Sequence, residues 1–181
     1  ALRGGERDMD ALNPYRPPRI LCGLDIGQLQ DPTALVLAER EMILGPSGRL
    51  EPRFLIRFLE RVPLRTSYPE VVRGVRKRLA ALGEPVALVV DVTGVGRGVV
   101  DLFRDRISAD VQAAEAAFHP TWRLPRTLAP IAITLTHGDK VHQERWDEWH
   151  VPRQTIVMAF VVALQQGRVW AADIPEAQVL I

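Results

Sequence analysis

Two aspartates stand at similar positions in two apolar stretches, and their placement is the strongest chemical signal in the chain. Asp25 lies in the run Ile20-Leu21-Cys22-Gly23-Leu24-Asp25-Ile26-Gly27, and Asp91 ends the run Val86-Ala87-Leu88-Val89-Val90-Asp91. A carboxylate within an apolar strand costs several kcal/mol unless a cation or hydrogen-bond donors meet it. Two such strands from distant parts of the chain bring their acids together only if they lie side by side in one sheet. The alternative is that each is a strand-end aspartate bonded to the backbone of a turn.

The elements that must position these acids follow from the apolar pattern and the turn residues. Strands are predicted at 20–26, 33–40, 54–60, 86–91 and 131–136. Helices are predicted at 67–82, 99–107 and 151–166, the first opened by a capping box at Ser67 and Glu70. A short extended piece at 169–172 precedes a further helix beginning at Asp173, and 108–128 is an excursion over the surface. The class is therefore α/β.

Length and composition narrow the class of protein. The 181 residues predict one domain over 20–181, preceded by a linker or docking arm at 1–19. No apolar run is long enough for a membrane helix, so we expect no membrane partner and a cytoplasmic location. The single cysteine, Cys22, excludes an internal disulfide framework and a cysteine zinc site. Since the net charge is only +1, any attraction to nucleic acid must come from local arginines.

Three further groups invite a function, and each has a plainer interpretation that we favour. Gly94-Val95-Gly96-Arg97-Gly98 has G-x-G-x-G spacing and predicts a tight strand-to-helix turn rather than a dinucleotide site. The basic residues of the first helix predict a solvated face more than a phosphate-binding one; they are Arg73, Arg76, Lys77 and Arg78. The histidines of 137–150 lack metal-ligand spacing and predict a polar loop that contacts DNA; they are His137, His142 and His150.

The ordered motifs of this chain resemble the nuclease domain of the large terminase subunit of tailed bacteriophages, a member of the ribonuclease H-like superfamily. The resemblance is carried by Gly23–Gly27 with Asp31–Ala34, by Val90–Gly96, and by Val151–Arg153 with the helix ending at Gln166–Arg168. It implies a five-stranded mixed sheet of order 3-2-1-4-5, flanked by helices. It also implies that Asp25 and Asp91 are catalytic ligands of a two-metal Mg²⁺ or Mn²⁺ site that cuts concatemeric DNA during genome packaging.

The same resemblance implies partners and exposes two departures. The partners would be double-stranded DNA, the ATPase motor domain, the small terminase subunit and the portal. The chain carries no G-x-x-x-x-G-K-[ST] motif for a motor, and it ends before the Asp-Asp-type motif that supplies the family's third acid, so the domain looks truncated at its C-terminus. Asp31 is a candidate to extend the acid cluster, but its place before Pro32 in a turn favours the interpretation as a turn residue. The other acids considered as substitutes are Asp139, Asp147, Glu148 and Asp173.

Two alternatives stay open at this point. One is a Holliday-junction resolvase or another nuclease of the same fold. The other is a catalytically silent DNA-binding or assembly module, which the missing third acid favours.

Overall fold

Alternating apolar residues and turn residues divide the chain into the elements of one mixed sheet and its helices. The computed structural model describes residues 18–27, 31–104 and 130–171. Its strands are β1 (Ile20–Asp25), β2 (Ala34–Leu44), β3 (Leu50–Arg61), β4 (Val86–Asp91), β5 (Ile131–Thr136), β6 (His142–Arg145), β7 (Glu148–Pro152) and β8 (Val169–Ala171). The helices are α1 (Tyr68–Ala81), α2 (residues 96–104) and α3 (Arg153–Gln165). The predicted α/β class is confirmed.

The sheet has eight strands in the order β6-β7-β5-β4-β1-β2-β3-β8. β2 is antiparallel to both of its neighbours, β1 and β3, whereas β1, β4, β5 and β7 are parallel to one another. The predicted sheet of five strands was too small, because β7 and β6 continue it past β5 and β8 continues it past β3. The last strand, β8, confirms an extended piece where one was predicted.

The segment between β5 and α3 corrects two predictions. Residues 137–150 were predicted to be a polar loop, but they contain the β6–β7 hairpin, and β7 pairs with β5 from Ala132 to Thr136. That parallel pairing continues to Pro152, so α3 begins at Arg153 and not at 151. Backbone pairing with β5 is a contact between residues far apart in sequence, which local polarity does not reveal.

One face of the sheet carries the hydrophobic core. β1 and β4 alternate, so Ile20, Cys22 and Leu24 point to the same side as Val86, Leu88 and Val90, and all six are buried. α1 covers this side with Val71, Val72, Val75 and Leu79, and α2 covers it with Val99, Val100 and Phe103. The predicted capping box that starts α1 at Ser67 and Glu70 is present. We call this side of the sheet the core face.

α3 differs from the other two helices in its packing. Ile156, Val157, Phe160 and Leu164 are 40–52% exposed, and only Ala163 of this helix is buried. No α3 residue belongs to the core cluster. The helix is apolar on all sides, so its sequence does not single out one face for burial. It connects β7, near one side of the sheet, to β8 at the other.

Several predictions fall outside the described residues. They concern most of the arm at 1–19, the stretch 108–128 and the helix beginning at Asp173. At the described end of the arm, the Arg19 carbonyl accepts a hydrogen bond of 2.7 Å from the backbone N–H of Arg40. Within the described ranges, none of the helices is both long enough and apolar enough to cross a bilayer.

Candidate metal centre

The two predicted acids meet at the carboxyl ends of neighbouring parallel strands. Asp25 is the last residue of β1, Asp91 is the last residue of β4, and the two are Cα partners in the register. Neighbouring strands are about 4.8 Å apart, so the backbones that carry the two carboxylates are adjacent. The prediction that β1 and β4 are parallel neighbours is confirmed. The placement of Asp25 within a buried strand is wrong, because it ends β1 and is exposed.

Both acids point away from the core face. Leu24 and Val90 precede them and are buried on the core face, so the alternation of the strands turns Asp25 and Asp91 to the other side, which we call the acid face. The Cα partners of Asp25 and Asp91 form a line across six strands. We call this line of partners the acid row: Arg61, Ala34, Asp25, Asp91, Ile133 and Trp149.

The backbone of Asp31 lies against Gly27, close to the end of β1. A Cβ atom on Gly27 would lie 2.0 Å from the Asp31 carbonyl oxygen, so only glycine permits this close approach. The buried Thr33 holds the turn, since its Oγ1 accepts from the Gly27 N–H at 3.2 Å and donates to the Gly27 carbonyl at 3.3 Å. Asp31 thereby joins the electrostatic surroundings of Asp25.

The turn after β4 is equally tight. Gly94 has a φ of +83°, and a Cβ on Gly96 would lie 2.2 Å from the Asp91 carbonyl oxygen. Thr93 donates its N–H to Asp91 Oδ1 at 2.7 Å, and its Oγ1 accepts from the Leu135 N–H at 2.8 Å. The predicted strand-to-helix turn is confirmed. The bond to Thr93 is also what the plainer interpretation of a strand-end aspartate requires, and it uses one of the two Asp91 carboxylate oxygens.

Negative charge accumulates at this edge of the sheet. Partial burial, then the nearby charges of Asp91 and Asp31, raise the pKa of Asp25 above its usual value, and the positive charge of Arg153 opposes them. A carboxylate whose ionised form is disfavoured in this way gains from a bound cation. Arg153, the first residue of α3, is the described cation whose charge acts on Asp25.

Two of the acids proposed as substitutes lie elsewhere. Arg104 of α2 donates to Asp147 Oδ2 at 2.8 Å and to Glu148 Oε1 at 3.1 Å. Asp147 and Glu148 are 4% and 6% exposed, and Glu148 is the partner of the buried Ala132 on the core face. The structure thus uses these acids in a buried ion-pair cluster with Arg104. Nothing in the sequence around Arg104 indicated that partnership.

Of the remaining candidate acids, Asp139 is exposed in the loop after β5, and Asp173 is outside the described residues. His142 and His150 lie on the β6–β7 hairpin rather than in a loop, whereas His137 is exposed in the loop after β5. His142 and His150 are register partners with ring centroids 6.2 Å apart, and His150 Nε2 lies 2.9 Å from Glu144 Oε2. A hydrogen bond from His150 lowers the pKa of Glu144. Across the described ranges, no group of three or more His, Cys, Asp or Glu side chains is arranged to hold a metal ion.

The basic residues of α1 do not converge on the acid pair, because α1 packs on the core face. Arg78 is bound within the protein, where it donates to Glu60 and to the Gly74 carbonyl. Arg73 and Lys77 are exposed, as expected for a solvated helix face.

No family model matches the chain, and no curated protein or solved structure matches it either. What the acid pair can do must therefore follow from its own geometry and chemistry.

Proposed function

We propose that this chain is a metal-dependent DNA endonuclease domain of ribonuclease H-like architecture, similar in kind to the nuclease domain of a phage terminase large subunit. One observation carries the proposal: Asp25 and Asp91 end adjacent parallel strands in register and on one face. The consecutive placement of β3, β2, β1, β4 and β5 within the larger sheet supports the architectural part.

The residues present fit a divalent cation. The Asp25 carboxylate accepts no hydrogen bond from the described residues, and Asp91 uses only Oδ1, so three carboxylate oxygens remain for a ligand. Hard oxygen donors are what Mg²⁺ and Mn²⁺ prefer, which assigns Asp25 and Asp91 as the residues that would hold the metal. When bound, such ions supply activation of water and charge stabilisation at a leaving 3′ oxygen.

The chain's own residues prepare this site in two ways. The Thr93 N–H fixes the orientation of the Asp91 carboxylate, and the Thr93 hydroxyl ties that turn to β5. The exposure of Asp25 leaves the acid pair open to a large substrate. The strand ends hold the acids in place, and the site is accessible from solvent. Both features suit a polymer that must lie across the site.

In this proposal the substrate is double-stranded DNA, cut during genome packaging in the cytoplasm of the host cell. The partners are those that the resemblance implies, namely an ATPase motor domain, a small terminase subunit and a portal. Cutting without base recognition is expected, because phosphate contacts position a protein on DNA without reading its sequence.

A silent DNA-binding module is the second candidate, and one observation favours it. The described residues offer two facing carboxylates, but no set of three ligands. A resolvase of the same fold would share the acid pair, so only a preference for branched DNA over plain duplex DNA would distinguish a resolvase from the proposed endonuclease.

Plasmid nicking in Mn²⁺ tests the proposal. Residues 1–181 are expected to nick the plasmid slowly in Mn²⁺. Asp25→Ala and Asp91→Ala should each lower the rate by at least about 100-fold, which corresponds to about 2.7 kcal/mol of transition-state stabilisation.

Asp101→Ala is the matched control, since Asp101 is an exposed aspartate of α2, which packs on the core face. Cutting that survives both active-site changes would overturn the assignment. A protein that binds DNA but never cuts it in Mn²⁺ would favour the silent module.

A further inference from the structure

The acid row places an arginine on the same face as the acid pair. Asp25 is the register partner of Ala34, and Ala34 is the partner of Arg61 at the end of β3. Partners in an antiparallel pair share a face, so Arg61 and Asp25 both lie on the acid face. Two strand spacings separate their Cα atoms by about 10 Å.

A second arginine lies on the opposite side of the acid pair. β7 follows β5 in the sheet, on the side of β4 away from β1, and Arg153 comes directly after β7. The positive charge of Arg153 also acts on Asp25. In the strand order, Arg153 therefore follows a strand on the Asp91 side of the pair, and Arg61 ends a strand on the Asp25 side.

These two arginines also differ from most others in their partners. Both are exposed, and neither forms an ion pair or a side-chain hydrogen bond within the described residues. By contrast, Arg57, Arg78 and Arg104 each bind a carboxylate of the protein. Exposed guanidinium groups without a protein partner keep their donors free for the oxygens of another molecule.

We infer that Arg61 and Arg153 bind backbone phosphates of duplex DNA on either side of the Asp25–Asp91 pair, and so hold one phosphodiester at the acids. The planar guanidinium suits bidentate binding of phosphate. The distance of about 10 Å between the Arg61 and Asp25 Cα atoms corresponds to about three base-pair rises of about 3.4 Å along the axis of a duplex. This inference rests on the proposed function, since it takes the acid pair as the place where the DNA lies. Arg61 and Arg153 act as positioning residues.

The test measures binding of a short DNA duplex by fluorescence anisotropy, over a range of salt concentrations, with Ca²⁺ in place of Mn²⁺. Each lost phosphate contact reduces the slope of log K against log salt by about 1. Arg61→Gln and Arg153→Gln should each show that reduction and at least a threefold weaker affinity, and the double variant should lose about 2 from the slope.

Arg73→Gln is the matched control, because Arg73 is equally exposed but belongs to α1 on the core face; it should keep the wild-type slope. Arg61→Lys should also keep the slope, since it preserves the charge. Melting temperatures close to wild type would show that all variants are folded.

The outcomes separate this inference from the proposed nuclease activity. Slopes that do not change in Arg61→Gln and Arg153→Gln, equal losses in Arg73→Gln, or no duplex binding by the wild type would overturn the phosphate contacts. If the slopes fall as expected while no form of the protein cuts DNA in Mn²⁺, the phosphate contacts stand and the endonuclease proposal fails.

Discussion

The two faces of the sheet are built from the same strands but have different roles: the core face is buried, and the acid face carries the candidate site. On the core face, β1 and β4 contribute residues that are almost fully buried, such as Cys22, Leu88 and Val90 at 0% exposure. On the acid face, the same strands end in Asp25 and Asp91, which point away from the side where α1 and α2 pack. Period-two alternation thus lets one strand stabilise the fold with one set of side chains and present a candidate site with the next.

Charge is also distributed differently on the two faces. On the core face, Arg78 meets Glu60, and Arg104 meets Asp147 and Glu148. On the acid face, the acids lie side by side, and Arg61 and Arg153 contact no carboxylate of the described residues. Oppositely charged side chains that pair with one another stabilise the fold. The charged side chains on the acid face instead favour ligands from outside the protein, with a cation at the acids and phosphates at the arginines.

The largest expected effect is on stability, and it distinguishes the core face from the exposed helix α3. Phe103 of α2 is 0% exposed in the core, whereas Phe160 of α3 is 47% exposed. Phe103→Ala should lower the free energy of unfolding by about 3–5 kcal/mol, because it removes buried apolar area and leaves a cavity. Phe160→Ala should cost less than about 1 kcal/mol, as expected for an exposed side chain. Urea denaturation measures both, and an equal cost would mean that α3 is covered in solution.

A smaller effect is expected at the turn that links the two faces. A Cβ on Gly96 would collide with the Asp91 backbone, whereas a Cβ on Gly98, two residues further along α2, meets nothing within 4 Å. Gly96→Ala should therefore destabilise the protein by about 1–3 kcal/mol and slow DNA cutting through displacement of Asp91. Gly98→Ala should stabilise it by about 0.5–1 kcal/mol, because alanine favours the helix.

Thermal melts and nicking rates for the two glycine variants distinguish these outcomes. A Gly96→Ala protein as stable and active as the wild type would show that the approach of Gly96 to Asp91 is not required.

The smallest effect concerns the charge on Asp25. Its folded-state pKa is raised, so the ionised form is disfavoured by folding. The resulting penalty is absent below the unfolded pKa of about 3.9, grows as the pH rises through the folded pKa, and is complete above it. Without metal, Asp25→Asn should be more stable than the wild type at pH 7, by well under 1 kcal/mol (about half that value or less), since Asp25 is exposed and solvent screens its charge.

Urea denaturation at pH 7 and pH 3 checks this prediction, and the difference should vanish at pH 3. Glu41→Gln gives the opposite sign, because a hydrogen bond from Arg53 lowers the pKa of Glu41 and stabilises its ionised form above the unfolded pKa. An Asp25→Asn protein that is less stable at pH 7 would contradict the crowding of negative charge on the acid face.

Local patterns in the sequence were enough to predict the elements that hold the acid pair. The apolar runs ending at Asp25 and Asp91 predicted β1 and β4, the Ser67–Glu70 capping box predicted the start of α1, and the glycines at 94–98 predicted a tight turn. Each of these signals acts within a few residues, where side-chain periodicity, capping and backbone freedom determine the conformation.

Contacts between distant residues decided the rest. Only the tertiary structure pairs β7 with β5, gives Asp147 and Glu148 to Arg104, and aligns Arg61 with Asp25 through β2. It also leaves α3 largely exposed although its sequence is strongly apolar. Strand register and the choice of ion-pair partners depend on contacts between segments that are distant in sequence. The free energy of such contacts depends on both segments, so neither segment's sequence predicts it alone.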